Sequence, residues 1–219
     1  MAQVFPKSAN QIAKASVVLG AALAATVAGI VMFVLPRSAY VTRQKEAREQ
    51  PVPFYHLHHV GGMGIDCRYC HTAVESSSNA GIPPTATCYN CHRLIWNDAP
   101  MLAPVRESYR TGQPLTWNKV HDLPDFVYFD HSIHVAKGVG CVSCHGRIDK
   151  MKLVYQASSL QMSWCLACHR NPEPNLRPRS EVFNMTWEAK DQKTLGAALK
   201  EEYGLRSAFA LTNCSTCHR

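Results

Sequence analysis

The sequence predicts a chain of loops and short α-helices behind one N-terminal transmembrane helix, without a polypeptide core of ordinary size. Three observations carry this expectation. An uncharged apolar run, VVLGAALAATVAGIVMFVL, covers residues 17 to 35. The ten cysteines fall into five pairs, each with two residues between its members: Cys67/Cys70, Cys88/Cys91, Cys141/Cys144, Cys165/Cys168 and Cys214/Cys217. A histidine follows every pair at once, at His71, His92, His145, His169 and His218.

The apolar run is about 28 Å long at about 1.5 Å per residue, enough to cross the hydrocarbon core of a bilayer. It ends at Pro36, with Lys7 and Lys14 before it and Arg37, Arg43, Lys45 and Arg48 after it. The apolar region of a cleaved signal peptide is shorter, about 7 to 15 residues, so residues 17–36 are expected to be a retained anchor. The basic residues alone would place the C-terminal flank in the cytoplasm. Ala21, Ala25 and Gly29 form a row of small residues on one helix face, which lets a second transmembrane helix approach closely. The plain alternative is that alanine is abundant in this stretch.

C-x-x-C-H is the attachment signature of c-type haem. Two thiols one helical turn apart add across the two vinyl groups of a porphyrin, and the adjacent histidine falls beneath the iron. Zinc is the rival reading, since two C-x-x-C pairs make a four-cysteine site, but zinc does not call for a histidine after each pair. With 11 histidines in 219 residues, five such coincidences have odds on the order of one in three million. Zinc would also leave an odd pair over, and a disulfide framework would compete for thiols already assigned. The expectation is five haem c groups and a multihaem cytochrome c fold: mostly loops and short α-helices around a haem core. Because haem c is attached outside the cytoplasmic membrane, this overrides the basic-residue count and puts residues 37–219 on the periplasmic side of a bacterial cytoplasmic membrane, single-pass.

The formal charge of +7 then loses its usual meaning. Two propionates per haem bring the loaded protein to roughly +2 when oxidised and roughly −3 when reduced. The basic excess compensates cofactors, and a nucleic-acid partner is not expected.

Under about 40 residues remain per motif after the anchor, too few for a separate hydrophobic core around each. The pairs are unevenly spread, and one unit repeats: FYHLHHVGGMGIDCRYCH at 54 to 71 aligns with FDHSIHVAKGVGCVSCH at 129 to 145, both reading F-x-H-x-x-H before the attachment motif. The expected organisation is a cytoplasmic N-terminus at 1–16, the anchor at 17–36, a linker at 37–49, a dihaem module at 50–112 and a trihaem module at 113–219. DAPMLAPVRESYRTG (98 to 112) reads as a helix capped by Asp98 and ended by Gly112. DQKTLGAALKEEY (191 to 203) reads as another, capped by Asp191, stopped by Gly204, and burying Leu195 and Leu199. NPEPNLRPR (171 to 179) reads as an extended surface loop without chemistry.

Six histidines lie outside the motifs: His56, His58, His59, His121, His131 and His134. Five would complete the second axial position of five irons. F-x-H-x-x-H before C-x-x-C-H resembles the small multihaem cytochromes of the c3/c7 type. That resemblance implies that His56 and His131 close the irons of their own motifs, the first and third. It also implies that His59 and His134 reach other haems, that His121 completes the set, and that His58 is spare. Methionine is the alternative for one position, with Met162 ahead of Met63 and Met101, and would raise that haem's potential.

Irons with two protein ligands leave no place for substrate, and all five motifs end in histidine, so the chain reads as an electron conductor with no catalytic residues. The stretches PVPFYHLHHVGGMGIDCRYCHTAVESSSNAGIPPTATCYNCHRLIWNDAPML, VHDLPDFVYFDHSIHVAKGVGCVSCHGR and SLQMSWCLACHRNP are similar to the pentahaem membrane-anchored cytochrome subunit of alternative complex III, over about residues 50 to 175 together with the anchor and the final C-x-x-C-H. This resemblance implies an electron-transfer subunit of a quinol:electron-acceptor oxidoreductase. It implies as partners a polytopic quinol-oxidising membrane subunit, an extracytoplasmic iron–sulfur subunit, a monohaem cytochrome c subunit and membrane lipid. The alternatives are a single-anchor quinol dehydrogenase cytochrome feeding a periplasmic reductase, and a multihaem reductase with an open haem position.

Overall fold

The computed structural model describes residues 5–6 and 8–218, so that Lys7 and Arg219 lie outside the described residues. The chain divides into two units, 1–43 and 44–219.

In the first unit a helix runs over Ser8–Gly29, continues as a π-helical stretch at Ile30–Val34, and closes in a 3-10 turn at Leu35–Arg37. It starts well before the apolar run because residues 8–16, a mixed stretch containing three alanines, extend the same winding. The widening at Ile30–Val34 sits where Pro36 removes an N–H and crowds the carbonyl four residues back. Ser16 and Thr26 turn their hydroxyls onto the Ile12 and Ala22 carbonyls, each at 2.9 Å, so the apolar surface carries no unmet donor. Ser8–Arg37, whose most apolar 18-residue stretch has a mean hydropathy of 2.5, is the one segment among the described residues long and apolar enough to cross a membrane.

The second unit contains no β-strand among the described residues, only isolated bridges such as Val139 with Leu176. Residues 44–47 are held against 155–156 by two such bridges and by a bond from the Lys45 N–H to the Gln156 carbonyl. Buried apolar side chains are few and gather in two small clusters, with Val74, Met151 and Val182 buried apart from them. In the first, Val52, Leu102 and Val105 pack with Cys88, Tyr89, Ala99, Leu115 and Trp117. It joins the helix Thr85–His92 to the helix Ala103–Thr111, where Tyr89 and Tyr109 stack at 4.0 Å and Thr85 and Ser108 share a hydroxyl bond of 2.7 Å. The helix expected from Asp98 begins instead as a 3-10 turn at Pro100–Leu102 with Ala99 at the cap position. Pro100 is tolerated there, just inside the start, as in any first turn. Its end is as expected: Gly112 takes φ 71°, which a residue without Cβ adopts freely.

The second cluster is Leu176, Leu199 and Tyr203 with Val139, Leu195 and Leu205. Asp191 caps the helix Gln192–Glu202 by accepting from the Thr194 N–H, and Gly204 follows its end, as the sequence predicts. The expectation of a surface loop at 171–179 is corrected. Leu176 is only 1% exposed, Arg177 is buried, and Glu173 forms a half-buried ion pair of 2.7 Å with Lys200. The prolines hold this segment in a tight path that turns the Glu173 and Leu176 carbonyls toward Gln192, whose amide donates to both at 2.8 Å. The helix sits directly on this floor because residue 196 is glycine: a Cβ there would lie inside the contact surface of the Glu173 carbonyl.

Gly196→Ala tests that approach. Elsewhere in a helix the exchange stabilises by up to about 1 kcal/mol. Here it is expected to destabilise by about 1–3 kcal/mol as the helix lifts from Glu173, read as a lower denaturation midpoint of the holoprotein.

Candidate functional site

Between and around these clusters lie the five cysteine pairs, each on a helical turn: Cys67–Cys70, Thr85–His92, Cys141–His145, Met162–Arg170 and Cys214–Cys217. A turn brings residues three apart to one face, with Cβ atoms about 5–6 Å from each other. Asp66 and Asn213 cap the first and last of these turns through the N–H groups of Arg68 and Ser215. No disulfide joins any of the ten cysteines. No motif residue is fully buried, because little polypeptide packs over the motifs. Large apolar side chains flank them in the open, such as Leu94 and Trp96 after His92.

The histidines show how they are held. His59, His71, His92, His131, His134, His169 and His218 each place Nδ1 at 2.6–3.1 Å from a backbone carbonyl, of Tyr55, Gly81, Ile95, Ser78, Asp130, Leu211 and Phe126 respectively. A carbonyl only accepts, so Nδ1 carries the proton and Nε2 keeps its lone pair for a metal. Burial pushes the pKa of His56 down to about 4 and that of His145 to about 3, and it lowers His59, His121 and His134 as well. These rings are neutral at pH 7, the form that ligates.

Three upstream rings stand opposite motif rings. His59 and His92 are 6.2 Å apart between centroids, His131 and His145 6.4 Å, and His134 and His169 6.1 Å. Two imidazoles sharing one metal, each with a bond of about 2.0 Å and a nitrogen about 1.1 Å from its ring centre, have centroids about 6.2 Å apart. His56 lies within electrostatic reach of His71. The ring nitrogens His56 Nδ1, His121 Nε2 and His145 Nδ1 are buried without a protein partner, a cost of about 1–3 kcal/mol each. Among the described residues no three or more His, Cys, Asp or Glu side chains converge on one point. The donors come as opposed pairs, which fits axial ligation of haem iron and not a tetrahedral zinc site.

The two repeats are built alike. Phe54 meets His56 edge-on at 4.9 Å and stacks on His59 at 4.3 Å. Phe129 meets His131 edge-on at 4.7 Å and stacks on His134 at 4.6 Å. In both, the residue after the phenylalanine supplies the carbonyl for the second histidine. Reading the sequence for ligands missed these phenylalanines as positioning residues, although the repeated F was the signal. Asp130 also caps the helix His131–Ala136. His58 stacks on Trp96 at 5.6 Å. The structure does not bring His121 to His218: it lies edge-on to His145 at 4.4 Å, while the ring beside His218 is Phe126, at 5.8 Å. Met63, Met101 and Met162 are exposed, the last opening the helix that carries Cys165 and Cys168.

Residues 127–219 match the family described as cytochrome c7 and related cytochrome c. They form a cytochrome c7-like multihaem domain. The match opens at the second F-x-H-x-x-H repeat and takes in the last three attachment motifs. A 99-residue stretch is 37% identical to a protein of Nitratidesulfovibrio vulgaris named menaquinone reductase, multiheme cytochrome c subunit. The aligned part is 45% of this chain and 46% of that protein, so the chain spans about half the length of the relative it matches. The chain thus carries a cytochrome c7-like multihaem domain, is built mostly of helices and loops, and has one apolar N-terminal helix.

Removing the stacked ring tests its positioning role. Phe129→Ala is expected to retain haem but to give a high-spin ferric EPR signal, as His131 and His134 lose orientation. Phe129→Leu, which keeps most of the apolar volume, is expected to give a weaker one. A purely low-spin spectrum in the alanine variant would assign Phe129 to packing alone.

Proposed function

We propose that the chain holds five covalent haems at its five attachment motifs and conducts electrons as the membrane-anchored subunit of a quinol:acceptor oxidoreductase of the alternative complex III type. Bound haem iron supplies a one-electron redox centre at each motif. The chain's own part is to hold these centres and close them. Cys67/Cys70, Cys88/Cys91, Cys141/Cys144, Cys165/Cys168 and Cys214/Cys217 tether, and His71, His92, His145, His169 and His218 ligate from one side. His56, His59, His131 and His134 ligate from the other side at the first, second, third and fourth motifs. The observation that carries the reading is the spacing of 6.1–6.4 Å in the three opposed pairs. At these four motifs a ring on each side leaves substrate no open position, which supports conduction over catalysis there. Residues 17–35 serve as the anchor, with the haem-bearing unit on the periplasmic side, and quinol chemistry belongs to a neighbouring membrane subunit.

The relative's name favours a second reading on one point, the direction of flow: a chain of this kind in a menaquinone reductase passes electrons toward quinone. The same residues serve either direction, since potentials and not ligation geometry set it.

The isolated holoprotein tests the proposal. It is expected to show low-spin ferric haem at the four motifs with an opposed histidine and to remain oxidised when mixed with a menaquinol analogue. His134→Ala should convert about one-fifth of the iron to high spin by opening one axial position. Rapid reduction of the isolated chain by the quinol would instead assign quinol oxidation to this subunit.

A further inference from the structure

We infer that the five attachment motifs form one unbranched row in the order second, first, third, fourth, fifth, so that the chain doubles back and the first motif lies inside the row. The inference rests on the five-haem reading above and adds the path through it.

Each link is a separate set of contacts. The second and first motifs are joined twice. His59, from the segment entering the first motif, faces His92 of the second at 6.2 Å. His71 of the first donates to the Gly81 carbonyl at 2.7 Å, three residues before Pro84 caps the helix of the second. The first and third are joined through the loop after His71: the Ser78 carbonyl accepts from both the backbone N–H and Nδ1 of His131, and Ser77 from the N–H of Ser132. Arg68, between Cys67 and Cys70, lies over the Phe183 ring at 4.5 Å, while the neighbouring Val182 carbonyl accepts from the Cys141 N–H at 3.1 Å. His56 and His71 both lie within electrostatic reach of His145.

The third and fourth motifs share the helix His131–Ala136, whose two histidines face His145 and His169. Asn175 spans the same pair, its carbonyl accepting from the Gly140 N–H and its amide lying 3.5 Å from Cys168 Sγ. The fourth and fifth are joined by His169 Nδ1 donating to the Leu211 carbonyl at 3.0 Å, and by Thr216 of the fifth motif donating to Ala210 of the same short helix at 3.0 Å. The cysteines neighbour one another in the same succession: Cys70 with Cys88 and Cys91, Cys67 with Cys141, Cys144 with Cys165 and Cys168, and Cys165 with Cys217. The two F-x-H-x-x-H units therefore meet at their own motifs, the first and third. Each sends its second histidine outward, to the second and fourth.

Arrival times of an injected electron test the order in the full-length holoprotein, whose native thiols are consumed by haem. Phe209→Cys, at a residue 85% exposed on the short helix leading to the fifth motif, carries a ruthenium photosensitiser. After a flash, and with an amine as electron donor, the complex passes one electron to the nearest ferric haem. His56→Met and His59→Met, made separately, each place a higher-potential His/Met haem as a trap, at the first and second motif respectively. The row predicts that the first-motif trap fills sooner than the second-motif trap. A second-motif trap that fills equally soon or sooner would overturn the order and leave the conductor reading standing. If neither trap fills, the conductor reading itself fails. Should either variant not retain its haem, iron positions from anomalous scattering of the unaltered holoprotein decide alone. The first iron must lie nearer than the second to the third, and the reverse would overturn the row.

Discussion

A histidine is set to present Nε2 to an iron when its other nitrogen is held, and at most of the rings here backbone carbonyls do the holding. Seven rings are fixed in this way. The consequence runs through the second unit, because each carbonyl must be delivered by a particular piece of chain. His71 requires Gly81, so the loop after the first motif must fold back. His131 requires Ser78, so that same loop must meet the second repeat. His169 requires Leu211, so the C-terminal segment must return to the fourth motif. Ring orientation and chain path are therefore one problem with one solution, and a loop that shifted would turn the ring it holds.

The same constraint explains the sparse polypeptide core. Two three-residue clusters cannot by themselves order a unit of this length. One braces the helix that carries Cys88 and Cys91; the other sets the floor at 173–177 beneath Gln192–Glu202, and through Val139 and Arg177 it fixes the approach to Cys141. Both clusters lie beside attachment motifs and leave the space over the motifs to the porphyrins. Folding and cofactor attachment are coupled for this reason.

What was legible in the sequence follows from how local each signal is. C-x-x-C-H, the F-x-H-x-x-H repeat, the apolar run and the Asp191 cap are each written within a few turns of chain, and the structure places them on the helices and turns they predict. The partner of His134 was not legible, since nothing in its own segment names His169, which lies a loop and a helix away. The burial of 171–179 was missed because prolines and a charged pair look like a surface loop until Gln192 and Gly196 are seen over it. His121 shows the limit of counting: arithmetic makes it the fifth of five distal ligands without saying where it goes, and the fold sets it beside His145.

The account's central claim is that five covalent porphyrins occupy the space the polypeptide leaves over its motifs. The intact mass of the holoprotein under denaturing conditions measures this directly, because thioether-bound haem survives unfolding and non-covalent ligands do not. The account predicts one species carrying five haems and no thiol that reacts with an alkylating agent. A mass with fewer haems, with the corresponding cysteines alkylated, would contradict it.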